Sequence, residues 1–184
     1  FNTQIAYVSN SGGRFKEVYL SHLDGSEKRQ VTDNRTINLS PSWDLNGRTI
    51  LYSSFKDRNQ TLYLHDLDTG KEVRFNPPGA GRYLGGKLSP DGQMVVATYE
   101  SAGNSNLYLL DRSGSVIRRL TDDPGIEVSP AWSPDGKQIV FVSDRSGSPQ
   151  VFVLDVQSGK SRRVTYSGSY NTSPEWSPKG DRIV

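Results

Sequence analysis

A proline, a tryptophan and a glycine turn recur along this chain with a period of 44 or 45 residues. SPSWDLNGRTILYSS begins at Ser40, LSPDGQMVVATYES at Leu88, SPAWSPDGKQIVFVSDRSG at Ser129 and SPEWSPKGDRIV at Ser173. The turn glycine falls at Gly47, Gly92, Gly136 and Gly180, in steps of 45, 44 and 44. A second glycine falls at Gly25, Gly70, Gly114 and Gly159, in steps of 45, 44 and 45. Thr32, Thr121 and Thr165 close units, and Asn76 stands near the missing fourth place. Periods of roughly 40–45 residues with two markers in phase predict the blades of a β-propeller.

One unit shows the local logic. SPAWS at 129–133 reads as a short extended segment. SPDG at 133–136 is a tight turn: proline presets φ, aspartate suits the next position, and Gly136 accepts a positive φ. KQIVFVSD at 137–144 is apolar at consecutive positions, as in a strand buried on both faces. VFVLDV at 151–156 predicts a third strand and SRRVT at 161–165 a polar outer one. No segment sustains a 3.6-residue apolar period. The fold class predicted is all-β, a propeller of four-stranded antiparallel blades. The units run approximately over 1–33, 34–75, 76–122 and 123–166, with a partial unit at 167–184.

A four-stranded unit of this size cannot bury both faces alone, so neighbours must cover it. Trp43, Trp132 and Trp176 share one register with Leu88. Tyr52 and Phe141 match on the second strand around Ala97, and Tyr63, Tyr108 and Phe152 match on the third. These rings are expected between blades.

The opening QIAYVSN aligns with a second strand, Ile5 matching Ile50 and Ile139. The ending supplies a first strand, a turn and the start of a second. Two arrangements follow. The C-terminal strand could complete the N-terminal blade and close a four-bladed ring. Alternatively the four units belong to a longer propeller, the reading favoured here, and their open blade faces would drive self-association. The opening FNTQIAYVSN lacks the basic and apolar regions of a secretory signal, as a mature exported chain also would.

Composition excludes several functions. With 22 basic and 20 acidic residues and no basic block, nucleic acid is not an expected partner. The absence of cysteine excludes disulfides and thiolate chemistry. No apolar run approaches the ~20 residues of a membrane-spanning helix. His22 and His65, both in third strands, do not make a metal or catalytic pair. DLDTGKE at 66–72 lacks the spacing of a calcium loop and coincides with the third turn. No G-x-S-x-G elbow occurs. Neither a catalytic residue, a metal nor a cofactor is expected.

The units disagree in their loops. Those before each first strand read DNRTINL, NPPGAGRYLGGK, DDPGIEV and YSGSYNT; those between second and third strands read NSGGRFKE, FKDRNQ, ESAGNSN and DRSGSPQ. Alternate connections of an up-and-down sheet emerge on one side, so both sets share one face of the propeller. Variable loops on a rigid scaffold are where binding specificity resides.

The repeat SPAWSPDGKQIVFVSDRSGSPQVFVLDVQSGKSRRVT, the opening TQIAYVSNSGG and the stretch GSYNTSPEWSPKGDRI together resemble the TolB β-propeller family over nearly the whole chain. That resemblance implies a six-bladed propeller of which four repeats are present. It further implies a non-enzymatic periplasmic component of the Tol–Pal cell-envelope system in a Gram-negative bacterium. Its partners would be the peptidoglycan-associated lipoprotein, other Tol proteins and colicins. By motif, the family's partner contacts fall at Ile37, Asn38, Arg82, Tyr83, Leu84, Glu127, Tyr170 and Asn171. Truncating Arg82, Tyr83 or Glu127 to alanine is then expected to weaken partner capture with little change in stability. Similar repeats occur in the propellers of dipeptidyl and prolyl oligopeptidases, the alternative reading, and in some lyases.

Overall fold

The turns come first, because they set every strand register. At 133–136 the Ser133 hydroxyl donates to Asp135 Oδ1 at 2.6 Å, and the Lys137 N–H donates to the same oxygen at 3.0 Å. The Gly136 N–H closes the turn on the Ser133 carbonyl at 2.9 Å. Gly136 has φ 71°, matched by Gly47, Gly92 and Gly180 at 65°, 67° and 71°. This left-handed conformation is open to glycine at no steric cost.

The computed structural model describes residues 3–11, 13–44 and 46–184. Phe1 and Asn2, Gly12 in the variable loop 10–17 and Leu45 in the turn 44–47 lie outside the described residues. Fifteen strands form four antiparallel sheets, with no helix among the described residues. Strands β1 (Gln4–Ser9), β2 (Glu17–His22) and β3 (Arg29–Gln30) make the first. The second is β4 (Asn38–Trp43), β5 (Thr49–Ser54), β6 (Thr61–Asp66) and β7 (Glu72–Arg74). The third is β8 (Arg82–Leu88), β9 (Met94–Ser101), β10 (Asn104–Asp111) and β11 (Val116–Arg119). The fourth is β12 (Glu127–Trp132), β13 (Gln138–Ser143), β14 (Gln150–Asp155) and β15 (Ser161–Arg163).

Consecutive apolar burial in the second strands has a direct cause. Successive side chains of a strand point to opposite faces, and here each face meets a different sheet. Ile50 and Tyr52 pack with Val18 and Leu20 of the first sheet, while Leu51 between them packs with Tyr83 and Val95 of the third. Val96 turns to Trp132 and Phe141 of the fourth sheet, while Val95 and Ala97 turn back to Leu62 and Phe75. Tyr52, Tyr63, Tyr83, Phe75 and Phe141 are the largest fully buried side chains. Each such ring contributes about 2–3 kcal/mol by the apolar area it removes from water. The expected register of bulky residues is present: Trp43, Leu88, Trp132 and Trp176 each pack within one of the four apolar clusters.

The alternative in which SPEWS closes a ring on the N-terminal strand is not observed. Strand β1 pairs with β2 and with no other described strand. The C-terminal segment instead folds on itself. Glu175 and Val184 exchange N–H···O bonds of 3.0 and 2.9 Å, Trp176 bridges Ile183, and both of the latter pack on Ala131, Val140 and Val153. The tryptophan register decides this outcome: Trp176 finds its apolar partners on the adjacent sheet, as Trp132 does one unit earlier.

Candidate functional site

The two variable loop sets do lie together. In the second sheet Asn38 opposes Ser54 at one end of the β4–β5 pair, and Trp43 opposes Ile50 at the other. Loops 31–37 and 55–60 therefore emerge beside Asn38, whereas the glycine turns emerge beside Trp43. The fourth sheet repeats this, with Glu127 opposite Ser143 and Trp132 opposite Ile139.

At that end one repeat position is exposed and the next is buried. Ile37, Ile126 and Tyr170 are 45%, 48% and 73% exposed, and Arg82 stands exposed in the same register. Asn38, Tyr83 and Glu127, each one residue further, are fully buried, and Asn171 is half-buried. Strand alternation produces the contrast. The residue before each inner strand's first buried side chain faces solvent at the rim.

The buried members hold the rim in place. The Asn38 amide donates to Glu17 Oε2 at 2.9 Å and to the Lys16 carbonyl at 2.8 Å. The Asn171 amide donates to Gln150 Oε1 at 3.1 Å. Glu127 faces the Arg145 guanidinium, which also pairs with Asp123 at 2.8 Å and lies over the Phe152 ring at 5.0 Å. Burial draws the Arg145 pKa down from its usual value, against the pull of Asp123. Tyr83 packs edge-on against Tyr99 at 5.8 Å between centroids. Burial, reinforced by the neighbouring Tyr99 and Tyr108 phenols, pushes its hydroxyl up to about 12. The expectation that Tyr83 or Glu127 can be truncated with little change in stability is therefore corrected, since both are core groups. Arg82 is different: its guanidinium is half exposed, pairing with Glu100 at 2.7 Å.

A repeated latch, unseen in the sequence reading, joins each unit to the next. The closing threonine accepts a backbone N–H from the start of the third strand: Val18 to Thr32, Leu107 to Thr121 and Val151 to Thr165, each at 2.9 Å. Its hydroxyl donates to the polar side chain one residue earlier, Glu17 at 2.6 Å, Asn106 at 3.4 Å and Gln150 at 2.7 Å. That polar side chain then accepts from the following unit, from Asn38, the Asp123 N–H and Asn171 respectively. The second unit has Asn76 in the threonine's place, and Gln60 makes the crossing instead by donating to the Leu84 carbonyl at 2.7 Å. A constant spacing of 15 residues between the polar side chain and the threonine was the available signal.

Leu84 is half-buried and lines an open cleft of about 480 Å³ bordered by β4, β8, β12 and the segment 173–175. Its other walls include Ser40, Pro41, Ser129, Pro130, Ser173 and Pro174. Each Ser-Pro step places its serine in the left-handed region, φ 52°, 55° and 55°. In β4 and β12 the ladder slips at that step, between Leu39 and Ser42 and between Val128 and Ala131. Such a bulge re-aims the backbone toward the channel. In the turn at 66–72, Asp66 Oδ1 accepts from the Thr69 N–H and hydroxyl at 2.7 and 2.8 Å. Among the described residues, no group of three or more His, Cys, Asp or Glu side chains could hold a metal ion. Among the described residues no helix is long and apolar enough to cross a membrane.

Comparison with known proteins agrees with this geometry. The sequence profile of the family described as the TolB beta propeller domain matches residues 1–184. The Tol-Pal system protein TolB of Desulfosudis oleivorans is 40% identical over 121 residues, covering 66% of this chain and 27% of that protein. A protein TolB homolog of Chlorobium chlorochromatii is 41% identical over 135 residues, covering 72% and 29%. The chain thus spans less than a third of the length of these curated relatives. Among solved structures, TolB from Acinetobacter baumannii superposes with a TM-score of 0.84 at 32% identity, covering 98% of this chain and 46% of that one. A puromycin hydrolase superposes at 0.73 with 15% identity over 89% of this chain and 28% of that one, a likeness of fold alone.

Proposed function

The chain belongs to the TolB β-propeller family, and from that premise we propose that it is a non-enzymatic, protein-binding propeller of the periplasmic Tol–Pal system. Its partner on this reading is the peptidoglycan-associated lipoprotein, captured on the variable-loop face, which colicins would share. The rim register carries the proposal. Ile37, Arg82, Ile126 and Tyr170 are exposed, while the residues directly behind them are committed to the scaffold. Large apolar and arginine side chains on a rigid frame are the groups that dominate protein interfaces.

The test is titration of the lipoprotein's soluble domain against the chain and against Ile126→Ala, Arg82→Ala and Tyr170→Ala. Each substitution is expected to weaken binding by about tenfold, in the range of an interface anchor. Stability should move by no more than about 0.5 kcal/mol, because the side chains are exposed. Parent-like affinity in all three variants overturns the assignment.

A further inference from the structure

We propose that the first two units carry a docking sector for an acidic, partly apolar polypeptide segment of the partner; the inference rests on the reading of the variable-loop face as a partner surface. Four cations lie on three adjoining loops there: Arg14 and Lys16 from loop 10–16, Arg35 from loop 31–37 and Arg58 from loop 55–60. All four are exposed. Among the described residues none of them pairs with a carboxylate. Elsewhere near this face the arginines have acids of their own: Arg74 with Asp57 at 2.9 Å, Arg82 with Glu100 at 2.7 Å, Arg119 with Asp122 at 2.5 Å and Arg145 with Asp123 at 2.8 Å. Lys56 and Arg74 of the second unit are neutralised as these arginines of the third and fourth are, and the four loop cations of the first two units are left standing.

The cations sit on a knitted surface. The Lys16 N–H donates to the Thr36 carbonyl at 3.1 Å, the Asn38 N–H to the Lys16 carbonyl at 3.0 Å and the Phe55 N–H to the Ile37 carbonyl at 3.1 Å. Arg35 and Arg58 hold positive φ, 54° and 75°, a conformation uncommon for such residues. The Arg35 N–H is fixed there by Glu17 Oε1 at 2.9 Å, and the Arg58 N–H by the Phe55 carbonyl at 3.0 Å. Glu17 cannot also serve as a surface counter-charge, because it is buried and engaged by Thr32 and Asn38. Of the two exposed carboxylates in these loops, Asp57 is taken up by Arg74 and Tyr63, which leaves Asp33 against the four cations.

The occupant follows from the chemistry. Like charges held together raise the local potential and favour a complementary anion. Guanidinium groups pair two-pronged with carboxylates. Phe15 and Ile37, 40% and 45% exposed, lie in the same loops and ask for apolar side chains between those carboxylates. A nucleic acid or lipid surface would call for a basic field across the whole face, and here the field ends where Glu100 and Asp122 begin.

The test uses the 184-residue chain and a short synthetic peptide of alternating glutamate and leucine. The controls are the same peptide with lysine for glutamate, and phosphatidylglycerol vesicles. The acidic peptide is expected to bind, and to lose about tenfold in affinity when Arg35 and Arg58 both become Gln. A second variant, Arg14→Gln with Lys16→Gln, avoids the positive-φ positions and should show a similar loss at an unchanged melting temperature. Overturning results are an absent acidic complex, equal affinity in both variants, equal binding of the lysine peptide, or preference for the vesicles. Binding of the acidic peptide without binding of the lipoprotein domain keeps this sector and removes the proposed partner. The reverse removes the sector and keeps the partner.

Discussion

Lys87 and Glu175 are 88 residues apart, with β12 between them in the sequence, yet Lys87 Nζ stands 3.1 Å from Glu175 Oε1. Both residues line the open cleft between the inner strands. The pair therefore reaches from the third unit, past the fourth, to the hairpin that follows it. The backbone of the same lysine makes a shorter link: the Lys87 carbonyl accepts the Trp132 indole N–H at 3.1 Å and ties the third unit to the fourth.

Despite its position, this ion pair should add little stability. Its side chains are 42% and 55% exposed, so water screens the attraction. A double-mutant cycle with Lys87→Ala and Glu175→Ala should give a coupling below about 1 kcal/mol, falling further in high salt. A coupling of several kcal/mol would show that the channel is drier than this exposure implies.

The threonine latch should matter more. Thr165→Val keeps the shape but removes the acceptor for the Val151 N–H and the donor to Gln150. Leaving buried polar groups unpaired costs about 1–3 kcal/mol each. The urea midpoint should fall accordingly, and Gln150→Ala should add little once the threonine is gone, since both act through one network. Full additivity of the two losses would separate the residues and dissolve the latch.

Acid should act on the second unit through Glu72. Burial works against its charge, but hydrogen bonds from His65, Lys56 and Tyr52 outweigh that, and the carboxyl is held at about 2 against an ordinary 4.5. A depressed carboxylate gives stability that is complete above its unfolded value and is lost as pH falls from there towards the folded one. Stability should therefore decline between about pH 4.5 and pH 2, by an order of 1–3 kcal/mol from this group. Glu72→Gln should flatten that decline in urea titrations run across the same window. An unchanged slope would assign the acid sensitivity to other carboxylates.

Two glycines should fail for different reasons. A Cβ at Gly136 would meet nothing nearer than Pro90 Cδ at 3.7 Å, so the obstacle is its φ of 71°. Gly136→Ala should cost about 1 kcal/mol and Gly136→Val up to about 3, with Gly136→Asn the mildest. Gly86 has no positive φ, but its Cβ would lie 2.8 Å from the Val96 carbonyl oxygen, part of the backbone of the next strand. Gly86→Ala should therefore destabilise more than Gly136→Ala in thermal melts. The opposite order would mean that β8 can move away from β9 at little cost.

Legibility in the sequence followed the physics of each feature. Turns at Gly47, Gly92, Gly136 and Gly180 were readable because one residue type suits that backbone. The doubly buried second strands were readable because two neighbouring sheets demand apolar residues at every position. The latch was hidden because Glu17, Asn106 and Gln150 do the same work with three different side chains. The burial of Glu127 was hidden too, since its partner Arg145 lies on the far side of β13 in the sequence. At Ser40, Ser129 and Ser173 a local rule pointed elsewhere: a residue before proline is expected to be extended, whereas all three are left-handed, the first two at bulges in their ladders. The loop face could be placed from topology alone, but which of its residues face solvent depends on alternation within the inner strand, and three of the eight motif-matched positions proved to be core.

The division of the latch between units bears on how such a chain can change its length. Thr32 and Glu17 belong to one repeat, and Asn38, which donates to Glu17, to the next; Thr165 and Gln150 stand in the same relation to Asn171. Three of the four described junctions thus offer the same kind of complementary ends, a polar acceptor before and an N–H donor after, and at the remaining one Gln60 donates forward to the Leu84 carbonyl. Unequal crossing-over that duplicates or deletes one whole period would leave each junction with a donor on one side and a receiver on the other. A breakpoint inside a period would orphan a threonine, a buried amide and half of an apolar cluster at once. Such a gene can therefore grow or shrink by whole repeats, each addition arriving with the fastening that its neighbours already fit.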